Sequence, residues 1–308
     1  MRIEVWADVV CPWAYIGKRR LEKALADPVI AGLGVEVVWR PYRIDPTAPV
    51  PATPVQDAAG NGRHLAQAVA QEGFGSEWGA AWRAGSHDAH RLVALAHEHG
   101  GSALQDEIVE QVMKAHFLEG ADISDRPLLR GIADRAGIPA AGALLDGGAA
   151  DREVRELLLI GKARGIATSP TLVVGGQALA GAQLPEVIVD FLTVAAGEPA
   201  RETPEEVRRL RWSESLLQQR DPLGVLTLLR PLLDHHGDDL NVRRLAARAY
   251  FHSAQLSRAH DMLRQLVEDA PDDSYTRLML GRTLQRLGRG EEAAVHLKVA
   301  AAMTPEFI

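Results

Sequence analysis

The sequence predicts an α/β domain interrupted by a long block of helices, followed by an all-α domain of repeated helix pairs. Three observations predict this organisation. Near the amino end, a short apolar strand over residues 3–10 runs directly into a helix. After a long helical stretch, two short strands flank Gly175-Gly176, a pair typical of a tight hairpin. In the last third of the chain, small and apolar residues repeat with a period of 34, as Ala247 and Gly281 do.

Composition excludes several classes of function. The net charge of −7 supplies no basic face for the phosphates of a nucleic acid. No apolar run approaches the roughly 18 residues that a membrane span needs. The chain enters a strand within its first few residues, without the charged and apolar regions of a signal peptide. It has one cysteine, so no internal disulfide can form. We therefore expect a cytoplasmic protein that binds neither nucleic acid nor membrane.

The elements of the first domain follow from the positions of apolar and turn-forming residues. After the first helix, residues 35–39 predict a second buried strand, and a proline-rich loop is expected over 46–62. Residues 64–164 are predicted to be almost entirely helical, with breaks that include Gly100-Gly101. The hairpin strands come next, and a helix over residues 184–196 closes the domain.

The single cysteine, Cys11, lies between the first strand and the first helix, and Pro12 follows it. Unpaired N–H groups and the helix dipole favour an anion at a helix N-terminus. We therefore expect Cys11 to be partly exposed, with a pKa below the free-cysteine value of about 8.5. The alternative is a small, inert core residue. The same helix carries three positive charges, at Lys18, Arg19 and Arg20. They either lower the pKa of the thiol further or face solvent.

This segment resembles the DsbA-like thioredoxin-fold family, in particular its cytosolic FrnE-like branch. The resemblance rests on Cys11-Pro12-Trp13-Ala14 with the Tyr-x-Gly-Lys-Arg-Arg that follows, on Trp-Arg-Pro-Tyr at 39–42, and on residues 114–138 and 181–183. It implies an α/β thioredoxin fold over residues 1–197, with a helical insertion at about 62–148. It also implies that the Ser169-Pro170 bond is cis and faces Cys11.

The motif departs from the family at one position, because Ala14 stands where the second, resolving cysteine of the Cys-x-x-Cys pair is expected. A Cys-x-x-Cys pair exchanges disulfides through a mixed disulfide that the second thiol resolves. Three explanations stay open: the chain works as a monothiol, its role has drifted toward binding, or Ala14 was introduced to trap mixed disulfides.

The resemblance implies a thiol–disulfide oxidoreductase with Cys11 as nucleophile and Pro170 shaping the substrate groove. It implies no cofactor beyond glutathione or another small thiol. The histidines around His90 do not form a metal-binding motif, so no metal is expected. Asp8 is either a buried proton acceptor or a solvent-exposed strand end, and His90 and Arg91 either face the cleft or make structural hydrogen bonds. The candidate substrate-binding residues are Pro12, Trp13, Ala14, Ser169, Asp8, His90 and Arg91.

Two other classes of function remain as alternatives. The fold and the insertion are shared with kappa-class glutathione transferases and 2-hydroxychromene-2-carboxylate isomerases. Those proteins also carry an aspartate three residues before the catalytic position, as Asp8 is here, but usually have serine where Cys11 stands. The other alternative is a holdase or adaptor, in which the repeats capture a protein or peptide client and the thioredoxin fold holds it.

The second domain is predicted to be an all-α tetratricopeptide-like repeat domain over residues 205–308, after a linker at 198–204. Its period and its small residues at expected helix crossings match that repeat, and such repeats usually bind a peptide or protein. With no polar capping helix after the last repeat, Leu297 and the run 299–303 are expected to be left uncovered. We expect a second copy of the chain to cover them as a homodimer, with the first domain or a client as alternatives.

Overall fold

The computed structural model describes residues 1–55, 62–75, 78–138, 140–198 and 203–307. The chain divides into two compact units. The first comprises Met1–Gly161 and Gly165–Arg201, and the second comprises Lys162–Arg164 and Glu202–Ile308. Within the described residues, no helix is long and apolar enough to cross a lipid bilayer.

The first unit has a four-stranded mixed sheet and a block of inserted helices. Its strands are β1 (Arg2–Ala7), β2 (Glu36–Pro41), β3 (Thr53–Pro54), β4 (Trp82–Arg83), β5 (Thr171–Val174) and β6 (Gln177–Ala180). Its helices are α1 (Pro12–Leu25), α2 (Pro28–Ala31), α3 (Gly62–Gln71), α4 (His87–Phe117), α5 (Arg126–Arg135), α6 (Ala141–Asp146), α7 (Asp151–Ala163) and α8 (Pro185–Gly197). The sheet has the order β2-β1-β5-β6, with β1 parallel to β2 and antiparallel to β5. This is the predicted thioredoxin-like fold with a helical insertion.

The boundaries near the cysteine differ from the sequence-based expectation. Strand β1 ends at Ala7 rather than residue 10, because the N–H of Cys11 donates to the Asp8 carbonyl at 2.9 Å and closes a turn. Helix α1 then begins at Pro12, directly after Cys11. Pro12 lacks the N–H that would be unpaired at this position, so it fits the first helical turn.

The insertion is not purely helical, because it contains β4, which pairs with β3. Strand β3 lies in the predicted loop, and β4 lies in the predicted helical block. The break expected at Gly100-Gly101 is confirmed as a kink inside α4, where Gly101 has a φ of 68°. Helix α4 packs against the edge strand β2. There the Gln105 side chain accepts from the Trp39 N–H at 2.8 Å and donates to the Trp39 carbonyl at 3.1 Å. This contact fixes the insertion to the sheet.

The second unit consists of stacked helix pairs. Its helices are α9 (Glu205–Gln218), α10 (Pro222–His235), α11 (Leu240–His252), α12 (Leu256–Asp269), α13 (Ser274–Arg286) and α14 (Gly290–Met303), with a 3₁₀ turn at Pro305–Phe307. The small residues expected at helix crossings are buried in one core, with Ala247, Ala259 and Ala293 fully inaccessible. A Cβ at Gly281 would lie 2.7 Å from the Leu297 side chain. The 34-residue pattern therefore marks real helix contacts.

The last helix leaves an apolar stripe in solvent that partly matches the one the sequence indicated. Leu297 is half-buried and packs against Gly281, and Ala300 is fully buried, whereas Val299 and Met303 are exposed as expected. The exposed side chains are Val295, Val299 and Met303, at 63%, 36% and 40% exposure and four residues apart. A homodimer through this stripe stays a prediction.

A single-cysteine candidate active site

Cys11 is the N-cap residue of α1, and its sulfur faces the loop before β5. The Cys11 Sγ lies 3.3 Å from the carbonyl oxygen of Ser169, to which the thiol donates. The Ser169-Pro170 peptide bond is cis, as the resemblance implies. A second hydrogen bond fixes Ser169, because its hydroxyl accepts from the Asp8 backbone N–H at 2.9 Å. The first strand and the β5 loop therefore position the sulfur together.

Gly17 allows the proline loop to approach α1 closely. A Cβ at Gly17 would lie 2.8 Å from the Pro170 ring, closer than carbon atoms can pack, and 3.6 Å from the Ala182 side chain. Any larger residue at Gly17 would push Pro170 away from the helix that carries Cys11. This explains in physical terms why a glycine stands within the Tyr-x-Gly-Lys-Arg-Arg segment.

The predicted low pKa of the Cys11 thiol is wrong, and so is its predicted exposure. The residue is only 5% exposed. Burial raises the pKa of the Cys11 thiol above its ordinary value, and the nearby Asp8 charge raises it further. Hydrogen bonds from the Ser169 side chain and from the backbone N–H groups of Ala14 and Trp13 lower the pKa, but they do not outweigh burial. Cys11 is therefore a protonated thiol at neutral pH.

The cations of α1 do not add a positive field at the sulfur, because carboxylates neutralise them. Lys18 is buried and contacts Glu22, Asp106 and Glu110. Arg19 pairs with Glu22 and Glu110, and Arg20 is buried against Glu72 at 2.8 Å. The sequence alone could not reveal this, because the carboxylate partners lie on α1 itself, near the end of α3 and in the second half of α4.

Asp8 is a buried carboxylate and not the solvent-exposed strand end that the sequence left open. It is fully inaccessible and accepts from the Ile44 N–H at 2.8 Å and the Val10 N–H at 3.4 Å. His90 Nε2 lies 2.9 Å from the Tyr42 carbonyl and 3.3 Å from Asp8 Oδ1. A carbonyl can only accept, so Nε2 carries the hydrogen and donates to both. Asp8 and His90 thus link the cysteine turn to the insertion.

Arg91 is turned into the insertion, which favours its structural interpretation over substrate binding. Its Nε donates to the Ala149 carbonyl at 2.8 Å, its Nη2 to the Leu145 carbonyl at 2.7 Å, and its Nη1 to Asp88 at 2.6 Å. Each guanidinium nitrogen already has an acceptor, and the residue is 3% exposed. An anionic substrate group would have to displace these bonds.

The remaining predicted residues surround the sulfur along α1. Ala14 is fully buried, whereas Pro12 and Trp13 are half-buried. Trp13 packs with a small apolar cluster that includes Val69 of α3 and Ala182. Helix α3 supplies part of this apolar cluster, and no sequence pattern linked α3 to the cysteine.

An aromatic cluster next to α1 was missed in the sequence. Tyr15 stacks with Trp78 and Phe117 at centroid distances of 5.8 and 6.0 Å, and Phe74 packs on Tyr15 at 4.7 Å. The Tyr15 hydroxyl donates to Glu110 at 2.8 Å. Phe74 and Trp78 lie outside any helix or strand, so no periodicity could reveal the directions of their side chains.

His116 is a second titratable group that the sequence did not single out. It lies on α4 and is 1% exposed. Burial lowers its pKa from 6.5 to about 4, although the charges of Asp8 and Asp122 oppose this shift. Its Nδ1 has no hydrogen-bond partner in the described structure. The neutral imidazole is therefore the form that the folded protein accommodates.

We expect His116 to make the first unit sensitive to acid. Its pKa is lower in the folded state, so its contribution to stability is complete above pH 6.5 and is lost as the pH falls toward 4. The loss should reach about 3 kcal/mol. Urea unfolding followed by tryptophan fluorescence measures it, since five of the six tryptophans precede residue 198. A His116→Leu variant should lose distinctly less stability over this range. Equal losses in both proteins would assign the acid sensitivity to another group.

Among the described residues, no three His, Cys, Asp or Glu side chains are grouped so that they could hold a metal ion. The site consists instead of one thiol, a cis-proline loop and a buried Asp8–His90 pair. A cysteine at the N-terminus of the first helix, facing a cis-proline on a thioredoxin-type sheet, defines a thiol-bearing thioredoxin-fold protein.

The chain belongs to the DsbA-like thioredoxin family. The family model for the DsbA-like thioredoxin domain matches residues 2–193, and a tetratricopeptide repeat model matches residues 216–279. Both agree with the two parts predicted from the sequence.

Three relatives illustrate this similarity. The probable DsbA oxidoreductase SCO1869 from Streptomyces coelicolor superposes with a TM-score of 0.55 at 30% identity, over 66% of this chain and 93% of that one. The uncharacterized protein YwbO from Bacillus subtilis (strain 168) is 28% identical over 145 residues, which are 46% of this chain and 68% of that protein. The cytosolic disulfide reductase DsbM from Pseudomonas aeruginosa gives a TM-score of 0.48 at 19% identity, over 63% of this chain and 98% of that one.

Proposed function

We propose that this protein catalyses thiol–disulfide exchange through Cys11 alone, with glutathione as the second thiol. The observation that supports this is the position of the sulfur. Cys11 Sγ is held 3.3 Å from the Ser169 carbonyl beside the cis-proline, while the site of a second thiol is filled by the buried methyl group of Ala14. The chain has no other cysteine, so the resolving thiol must come from another molecule.

The proposed reaction has two balanced steps. The Cys11 thiolate attacks the glutathione sulfur of a mixed disulfide on a substrate, forms a Cys11–glutathione disulfide and releases the substrate thiolate. A second glutathione thiolate then attacks the glutathione sulfur of this adduct, which releases Cys11 and oxidised glutathione. Each step forms one disulfide bond and breaks one. The substrate is reduced, and two glutathione equivalents leave as their disulfide.

The raised pKa of the Cys11 thiol favours the reducing direction. A family protein with a strongly stabilised thiolate is an oxidant, because its reduced form is favoured. Here burial and the Asp8 charge disfavour the thiolate. The disulfide form of Cys11 is therefore not strongly oxidising, and the site is suited to remove disulfides from a substrate. Such a reaction requires a glutathione-containing, reducing compartment, which agrees with the cytoplasm.

The test is to incubate the native protein with oxidised glutathione and to measure its intact mass. We expect one glutathionyl adduct on Cys11, which reduced glutathione removes. The protein should then accelerate the reduction of a glutathionylated peptide by glutathione, and Cys11→Ser should abolish both effects.

The urea-unfolded chain is the internal control, because its cysteine is fully accessible. An adduct that forms only on the unfolded chain would contradict the proposed function, since it would show that the native site does not admit a disulfide. An adduct on the native chain without turnover of the peptide would contradict the catalytic part of the proposal.

A further inference from the structure

The first helices of two successive repeats share a strongly basic surface. Helices α11 and α13 pack beside each other and contain six arginines but no aspartate or glutamate. Spacings of four, seven and eleven residues bring side chains to one side of a helix. By this rule one side of α11 carries Arg248 and His252, and one side of α13 carries Tyr275, Arg282 and Arg286. We call these five residues the arginine face.

Contacts between the two helices show that their sides form one surface. The Arg248 guanidinium lies 5.9 Å from the centroid of the Tyr275 ring. The Arg286 guanidinium lies 4.7 Å from the centroid of the Phe251 ring and donates to the Phe251 carbonyl at 2.9 Å. Aromatic rings thus hold two guanidinium groups in place and leave their charge uncompensated.

Among the described residues, the arginines of this face are not paired with carboxylates, although Asp272 and Asp273 lie near Tyr275. In the part of the chain that the structure describes, no carboxylate lies within ion-pair distance of Arg248, Arg282 or Arg286. The two other arginines of α11 differ, because Arg243 pairs with Asp269 at 2.5 Å and Arg244 with Asp273 at 2.7 Å.

The surroundings of His252 show the same excess of positive charge. Burial lowers the pKa of His252, and the charges of Arg248 and Arg286 lower it further. Arg248 Nε is itself buried, with no hydrogen-bond partner among the described residues. By contrast, Arg282 and Arg286 are exposed and open to a ligand.

We propose that the arginine face binds an acidic peptide, a short segment of a partner protein rich in Asp and Glu. A guanidinium matches a carboxylate with two parallel hydrogen bonds, which makes arginine the suited residue for this ligand. The uncompensated charges are spread over two adjacent repeats, so an extended segment with several carboxylates can contact them together. The Phe251 and Tyr275 rings offer apolar contact between the charges. This proposal does not depend on the chemistry of Cys11.

The experiment titrates the full chain against a fluorescein-labelled, glutamate-rich peptide and records fluorescence anisotropy. We expect saturable binding that weakens with salt, because exposed charges are screened. The double variant Arg282→Glu and Arg286→Glu should weaken binding about tenfold or more, since each reversal replaces attraction by repulsion. Its matched control is Arg230→Glu with Arg264→Glu, the same charge change at exposed residues of α10 and α12. The control should bind the peptide as the wild type does, as should Cys11→Ser.

Three outcomes would overturn the proposal: an equal loss in the control variant, equal binding of a glutamine peptide of the same length, or tighter binding of a single-stranded oligonucleotide. Circular dichroism checks that the double variant keeps its helices. If it does not, Arg282→Gln with Arg286→Gln removes the charge without reversal and must still weaken binding of the peptide.

Discussion

Replacing Ala14 with cysteine should raise the rate of insulin reduction by dithiothreitol on the order of 100-fold, because the mixed disulfide would then be resolved within the chain. Ala14 is in the first turn of α1, where its N–H bonds the Cys11 carbonyl at 2.9 Å. Side chains three residues apart lie on the same side of a helix, so we expect a thiol at residue 14 to lie next to Cys11 Sγ. Residue 14 is fully buried, so the added sulfur should cost about 1 kcal/mol of stability through overpacking.

The matched control is Ala14→Ser, which adds an atom of similar size without a thiol. It should leave the rate unchanged. An Ala14→Cys protein with the rate of the native chain would mean that the absence of a resolving thiol does not limit the chemistry. That result would favour the alternative that this protein is a binding protein.

The second large effect is expected at Asp8. Removing its carboxylate by Asp8→Ala should lower the free energy of unfolding by about 3–5 kcal/mol, because the Ile44 and Val10 N–H groups would both lose their acceptor in a fully buried site. Urea unfolding followed by tryptophan fluorescence measures the change. A loss below 1 kcal/mol would mean that water or a neighbouring group replaces the carboxylate.

The Asp8→Asn variant separates the hydrogen bonds of this residue from its charge. An amide oxygen can still accept from Ile44, so the loss of stability should be smaller, about 1–3 kcal/mol. The Asp8 charge raises the pKa of the Cys11 thiol, so its removal should lower that pKa. The pH dependence of iodoacetamide alkylation then shifts to lower pH. An unchanged or higher midpoint would contradict the electrostatic role assigned to Asp8.

The sequence was sufficient for the fold because local signals agreed with one another. A strand that ends at a cysteine and proline, a Gly-Gly hairpin and a 34-residue period each have one common structural meaning. The resemblance then placed the Ser169-Pro170 loop opposite Cys11, which no spacing along the chain could have shown. The cis bond and the contact of Cys11 Sγ with the Ser169 carbonyl agree with it.

The electrostatics of the site could not be predicted in the same way. The N-terminus of α1 does act on the sulfur as expected, but the outcome depends on burial, and the residues that bury Cys11 come from distant parts of the chain. Lys18 looked like a free charge for the same reason, since its partner Asp106 lies on α4. The two interpretations of Arg91 could not be separated in the sequence, because its carbonyl acceptor at Ala149 is brought to it by tertiary packing alone.

The burial of Cys11 also determines how the protein withstands peroxide. The tendency of a cysteine to oxidise to sulfenic acid, and further to the irreversible sulfinic and sulfonic acids, increases with thiolate character and exposure. Here the residue is 5% exposed, and its protonated thiol donates to a backbone carbonyl. Hydrogen peroxide therefore meets a poor target in the folded protein. The burial that makes the Cys11 thiol slow to react therefore also protects it from irreversible oxidation.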